Sequence, residues 1–118
     1  MKRLKKRTDF LRAAKGVRRV SGAITLETCE TPDGGGDPRI GFTASRKVGN
    51  AVARNRAKRR LRAAASQLLP LLGRQGRDYV LVARASTGTR AYPALLADII
   101  AALEAAHRGL DRMAGEGM

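Results

Sequence analysis

RKVGNAVARNRAKRRLR, residues 46–62, decides how the rest of the chain is read. Eight of its seventeen side chains are Arg or Lys, and none is acidic. Gly49 breaks the preceding extended run. Asn50 suits an N-cap, because its side-chain oxygen can accept from the free backbone N–H groups of a first helical turn. No Gly or Pro follows until Pro70, so the composition predicts a helix over about 51–69. Ala53, Ala57, Leu61, Ala64 and Leu68 recur at three- and four-residue steps and form one apolar stripe. Arg54, Asn55, Arg56, Lys58, Arg59, Arg60 and Arg62 spread over the remaining surface. Arg54, Lys58 and Arg62 stand at i,i+4 spacing and repel one another by a few tenths of a kcal/mol per pair. No acid between Asp37 and Asp78 offsets them. A surface helix selected only for solubility mixes its signs, so this pattern calls for a polyanionic partner rather than a merely solvated face.

The whole chain repeats that message. Its 118 residues suit one domain with a real core and no need of metals or disulfides. The net charge is +14, and two clusters hold seventeen of the 24 Lys and Arg: nine in residues 1–19 and eight in 46–62. So strong and uneven a field points to nucleic acid or an anionic membrane, and binding through many phosphates weakens steeply with salt. No apolar run approaches the ~20 residues that span a bilayer, and the basic first residues lead into no hydrophobic segment of a signal peptide. A cytoplasmic location is expected. Cys29, the only cysteine, is read as a small hydrophobe rather than a nucleophile.

Residues 1–7, MKRLKKR, are read as a basic arm ordered only by phosphates. Thr8 is the expected cap of a short helix with Asp9 in its first turn, Phe10, Leu11, Ala13 and Ala14 as its apolar side, and Gly16 as its stop. Residues 22–30 read as a strand, 32–38 (PDGGGDP) as a turn carrying Asp33 and Asp37, and 39–45 as a second strand. In that strand Ile40, Phe42 and Ala44 alternate with Arg39, Gly41, Thr43 and Ser45. Residues 79–85 are apolar up to Arg84, as in a strand buried on both faces. A last helix is expected from Pro93 to about His107, with Gly109 as its stop. The domain is thus read as 1–109, with 110–118 as a flexible tail. This order makes an α+β layer with helices mainly on one face, and with the two strands flanking the basic helix parallel.

Catalytic constellations are missing. One His and one Cys cannot make a zinc set, and the ten acids share no motif of the kind a two-metal nuclease needs. His107 is read as a surface residue near a helix end. Four aromatic side chains, Phe10, Phe42, Tyr79 and Tyr92, do not provide for extensive base stacking. Recognition of backbone and shape, as in folded RNA, fits better.

SRKVGNAVARNRAKRRLR, with Arg54, Asn55 and Arg56 at its centre, resembles the signature of the protein subunit of bacterial ribonuclease P. RLKKRTDFLRAAKG resembles that family's first helix, RIGFTASRKVGNAV the strand before the basic helix, and DYVLVARA the last strand. The resemblance implies a small four-stranded mixed sheet with three helices and a left-handed β-α-β crossover, the reverse of the usual hand. The fourth strand then belongs around Val17–Ser21 or in a split of the first strand. It implies an accessory subunit of an endoribonuclease that removes the 5′ leader of precursor tRNA, with the active site and its Mg2+ in the RNA. No catalytic residue, cofactor or metal is expected in the protein itself.

The implied partners are ribonuclease P RNA and precursor tRNA; no protein partner and no membrane is indicated. Arg54, Asn55, Arg56, Lys58, Arg59 and Arg62, supported by Arg46 and Lys47, match the residues expected on the catalytic RNA. Phe10 matches an aromatic of the leader cleft, with Lys15, Thr43 and Ser45 completing it. The family's second helix-1 aromatic is Ala14 here, and its strand aromatic falls at Leu26 or Glu27, so stacking on the leader is expected to be weaker. Two other classes fit the residues less well: a structural RNA-binding protein and a self-sufficient nuclease.

Overall fold

In the computed structural model, which describes residues 2–116, the elements are β1 (Lys2–Arg3), α1 (Arg7–Ala14), β2 (Val17–Ser21), β3 (Ile24–Glu30), β4 (Arg39–Thr43), α2 (Ala51–Leu72), β5 (Arg77–Ala83) and α3 (Tyr92–Glu116). They form one mixed sheet in the order β1-β4-β5-β3-β2. The sheet has five strands, not four. Val17–Ser21 is the strand that the resemblance required, and the additional one comes from the basic arm. Lys2 and Arg3 pair in parallel with Arg39 and Ile40, and the Leu4 amide donates to the Ile40 carbonyl at 2.9 Å. Leu4 is buried, and burying it anchors the arm without any phosphate.

β5 lies centrally, parallel to β4 and antiparallel to β3. Its alternation divides the core. Tyr79, Leu81 and Ala83 face α2 and α3, together with Ile24, Leu26, Ile40 and Phe42. Val80 and Val82 face the other way, onto Leu4, Phe10 and Ala13. Two helices therefore cover one face and α1 part of the other, which is why β5 is apolar almost throughout. β2 and β3 join through Gly22 at φ 50°. The buried Asp98 of α3 accepts from the Ala23 amide at 3.0 Å and from Arg90, which ties this hairpin to the helix.

Three expected boundaries move. Thr8 is not a cap: α1 begins at Arg7 after an extended Lys6, and Leu11 and Ala14 face solvent. α2 runs past Pro70 to Leu72, because Leu69 and Leu72 pack on the core and outweigh the lost N–H. α3 runs through Gly109 to Glu116, so residues 110–116 are helix rather than tail; 117 and 118 lie outside the described residues. Gly109 serves a different purpose. A Cβ there would sit 2.6 Å from an Arg19 guanidinium nitrogen, so the glycine makes room for Arg19 across α3. His107 is correspondingly not near a helix end. It is half-buried and shares a 2.8 Å hydrogen bond with the Tyr79 hydroxyl, which accepts from the Arg74 amide. Burial, helped by Arg74, lowers the His107 pKa.

Candidate nucleic-acid interface

The basic helix starts as its sequence dictates. The Asn50 side chain accepts from the Ala53 amide at 2.9 Å, and Gly49 precedes it at φ 140°. A single 3₁₀ turn, Arg46–Val48, leads in, with the Ser45 hydroxyl accepting from the Lys47 amide. Ala57, Leu61, Ala64, Ala65 and Leu69 are the buried positions of α2. Asn55, Arg56, Arg59 and Arg62 are exposed, Arg54 and Lys58 partly so. Among the described residues, none of the cations of 46–62 has a carboxylate within 4.0 Å. Arg46, Lys47, Arg54, Arg56, Lys58, Arg59 and Arg62 thus form one belt of uncompensated positive charge. Arg60 is different. Its guanidinium donates to the Thr87 carbonyl at 2.5 Å and to the Arg90 carbonyl, fastening α2 to the loop after β5.

On the opposite sheet face, α1 is held by a buried charge network. Arg39 donates to both Asp78 oxygens, at 2.7 and 2.6 Å, and approaches Asp9 at 3.4 Å; Arg12 donates to Asp9 at 3.0 Å. The Thr31 hydroxyl donates to Asp78 at 2.9 Å. Asp78 is fully buried and Asp9 nearly so. Burial acts to raise the Asp9 pKa, but the Arg12 and Arg39 guanidiniums outweigh it and hold the carboxyl below its usual range. Arg39 is correspondingly raised by its bond to Asp78.

α1 leaves part of this face open as a trough of roughly 470 Å³, floored by Val20, Thr25 and Val82 and edged by Arg18, Ser45, Lys47 and Arg84. Phe10 lies against Gly41, whose missing side chain makes room for it: a Cβ there would be 2.6 Å from the ring. Thr43 is level with Val82 in the register. Phe10, Thr43 and Ser45 therefore belong to one region. Lys15 does not lie with them: it borders another hollow at the far end of the strands. Leu26 points into the core. Glu27 faces α1 instead, opposite Arg18; burial raises its pKa and Arg18 acts against that. Arg18 and Arg84 are trough residues that sequence reasoning missed. Their only signal was a cation in a strand or at its end, next to an unassigned face. Among the described residues, no three His, Cys, Asp or Glu side chains converge as metal ligands do, and no helix is long and apolar enough to cross a membrane.

A parallel pair spanned by a capped basic helix, with a half-covered trough behind it, is a specific arrangement, and comparison with known proteins identifies it. The family model for ribonuclease P matches residues 1–107. The chain belongs to the ribonuclease P protein family. It is 49% identical over 110 residues to the ribonuclease P protein component of Caulobacter vibrioides, covering 93% of this chain and 74% of that one. It is 50% identical over 106 residues to the component of Ruegeria pomeroyi, covering 88% and 85%. The Staphylococcus aureus RNase P protein superposes with a TM-score of 0.73 at 26% identity, over 90% of this chain and 95% of that one. The Thermotoga maritima RNase P protein shares the fold, with a TM-score of 0.72 at 21% identity over 87% and 96%. As a ribonuclease P protein component, the chain is the accessory subunit of a tRNA-processing endoribonuclease, and its partner is the ribonuclease P RNA.

Proposed function

We propose that the belt on and before α2 (Arg46, Lys47, Arg54, Asn55, Arg56, Lys58, Arg59 and Arg62) binds the phosphates of the catalytic RNA, while the trough beside Phe10 holds the 5′ leader of precursor tRNA. The observation that carries this reading is the belt itself: seven cations turned away from the core with no acidic partner among the described residues. The two RNAs are polyanions that repel each other. A protein of charge +14 between them screens that repulsion and releases counterions, lowering the Mg2+ needed for assembly and cleavage. Chemistry is assigned to the RNA and its Mg2+, with no cofactor held by the protein, in the cytoplasm. The same reading takes the family's left-handed crossover through α2. Side-chain hydroxyls (Thr25, Thr43, Ser45) and cations, rather than stacked rings, grip the leader, since Ala14 and Glu27 stand where aromatics would serve.

The test is cleavage of a leader-bearing precursor tRNA at low Mg2+ by the protein, by a bacterial ribonuclease P RNA, and by both. Only the mixture is expected to cut at the leader junction. A mixture no better than the RNA alone would overturn the reading, as would cleavage by the protein alone. Phe10→Ala is expected to weaken the assembled enzyme's binding of leader-bearing substrate several-fold and to spare mature tRNA. Equal losses for both would reject the leader role of Phe10.

A further inference from the structure

Arg60 differs from the other cations of residues 46–62. Among the described residues it alone turns its guanidinium onto protein acceptors, the carbonyls of Thr87 and Arg90. Those carbonyls belong to a closed circuit of hydrogen bonds. The Thr87 hydroxyl, fully buried, donates to the Ala23 carbonyl at 2.6 Å and accepts from the Arg84 amide at 2.8 Å. The Ala23 amide donates to Asp98, which also accepts from two guanidinium nitrogens of Arg90. The Arg90 carbonyl closes the circuit on Arg60. Gly22 lets the β2–β3 turn press onto α3, since a Cβ there would collide with the Asp98 carboxylate. Among the described residues, Arg60 makes the only hydrogen bonds between α2 and the loop after β5. That loop begins with Arg84, which is exposed and edges the trough. On the helix, Arg56 and Arg59 beside Arg60 are exposed cations of the belt.

We propose that Arg60 is a positioning residue: it fixes the loop that carries Arg84, and so holds one edge of the trough in place relative to the belt on α2. The inference rests on the trough reading above. Arg60 itself touches neither RNA. A surface loop is mobile unless its backbone is tied down, and ordering a mobile side chain on contact with a phosphate weakens binding. Holding the loop beforehand removes that cost. A guanidinium suits the task, because its planar fork donates to two carbonyls at once, where an ammonium is a point charge. The choice of acceptors points beyond a simple brace. Thr87, whose carbonyl receives Arg60, is also the residue whose hydroxyl holds the Arg84 amide. A shift at Thr87 is therefore a shift at Arg84.

The test is a set of KM and kcat measurements at low Mg2+, on enzyme assembled with a bacterial ribonuclease P RNA, below the melting temperature of every variant. The substrates are precursors with a long leader and with a leader of a single nucleotide. Arg60→Ala is expected to raise the long-leader KM about fivefold, the scale of one hydrogen bond to a charged group. Its kcat, its affinity for the catalytic RNA and the salt slope of that affinity should stay unchanged, as should KM for the single-nucleotide leader. Arg60→Lys, which can still meet one carbonyl, should fall between; it keeps the stem and the charge, so it decides the matter if the Ala variant does not fold. Arg84→Ala should raise the long-leader KM by a similar factor. The double variant should be no worse than Arg84→Ala alone, because Arg60 acts through that side chain. A merely structural brace would lose active enzyme at both leader lengths and leave KM alone. Losses at both lengths, additive losses in the double variant, or a smaller salt slope for Arg60→Ala would each overturn the proposal, the last by making Arg60 a phosphate contact. A silent Arg60→Ala beside an effective Arg84→Ala rejects the positioning role and keeps the trough. If Arg84→Ala and Phe10→Ala are both silent, the trough reading fails and the proposal falls with it.

Discussion

Asp78→Ala is expected to destabilise the fold by about 3–5 kcal/mol, the scale of a buried ion pair broken on one side. Asp78 is fully buried and carries the bidentate bond from Arg39 as well as the Thr31 hydroxyl. Removing it leaves the partly buried guanidinium of Arg39 with only its longer contact to Asp9, at 3.4 Å. Small domains have only about 5–15 kcal/mol in total, so the melting temperature should fall by more than about 10 °C. The double substitution Asp78→Leu, Arg39→Met should recover much of the loss, because neither charge is then left alone. Chemical denaturation of the three proteins checks this, and a single-variant cost under about 1 kcal/mol would show that the network does not hold α1 to the sheet. Acid tests the same network. Asp9 and Asp98 both have depressed pKa values in the fold: burial acts to raise them, and Arg12 with Arg39 in one case and Arg90 with the Ala23 amide in the other prevail. A depressed carboxyl contributes stability above its unfolded pKa and loses it as pH falls, so stability should decline below about pH 4.

The largest effect on binding is expected from replacing Arg54, Arg56, Arg59 and Arg62 together with Ala. Each contributes about one phosphate contact, so the slope of log affinity against log salt should shrink by about 3–4 units. Affinity for the catalytic RNA at physiological salt should drop by roughly three orders of magnitude or more. The fold should survive, and removing the Arg54–Lys58–Arg62 repulsion slightly favours the helix. Arg60→Ala is the control, with the opposite profile. It breaks two bonds to carbonyls of the 84–90 loop, costing about 1–3 kcal/mol of stability, with little change in slope. Salt titrations of RNA binding, paired with melting curves, separate the two. An unchanged slope for the quadruple variant would rule out direct phosphate contacts by this face.

Arg59 and Arg60 mark the limit of what pattern conveys. Both are arginines on the polar side of one helix, and periodicity treats them alike. Only the course of the loop after β5 brings two carbonyls to Arg60. The basic helix, its Asn50 cap and its apolar stripe were legible along the chain, because capping and 3.6-residue periodicity are local effects. So was β5 as a central strand, because burial on two faces leaves no room for polar alternation. The family followed from the basic stretch. Whatever depends on contacts between distant segments was settled by the packing of the layers. Leu4 turned a basic arm into a fifth strand by finding a pocket under α1. Arg19 turned Gly109 from a helix stop into a passage. The ion network drew Asp9 away from the simple role of a first-turn acid. Lys15 and Ser45, grouped by resemblance, ended in different hollows because α1 ends at the far side of the sheet from the turn that carries Ser45. Short-range propensities act within a few residues and are written in order along the chain; the pairing of a buried charge or an apolar side chain with its partner is settled only when the layers close.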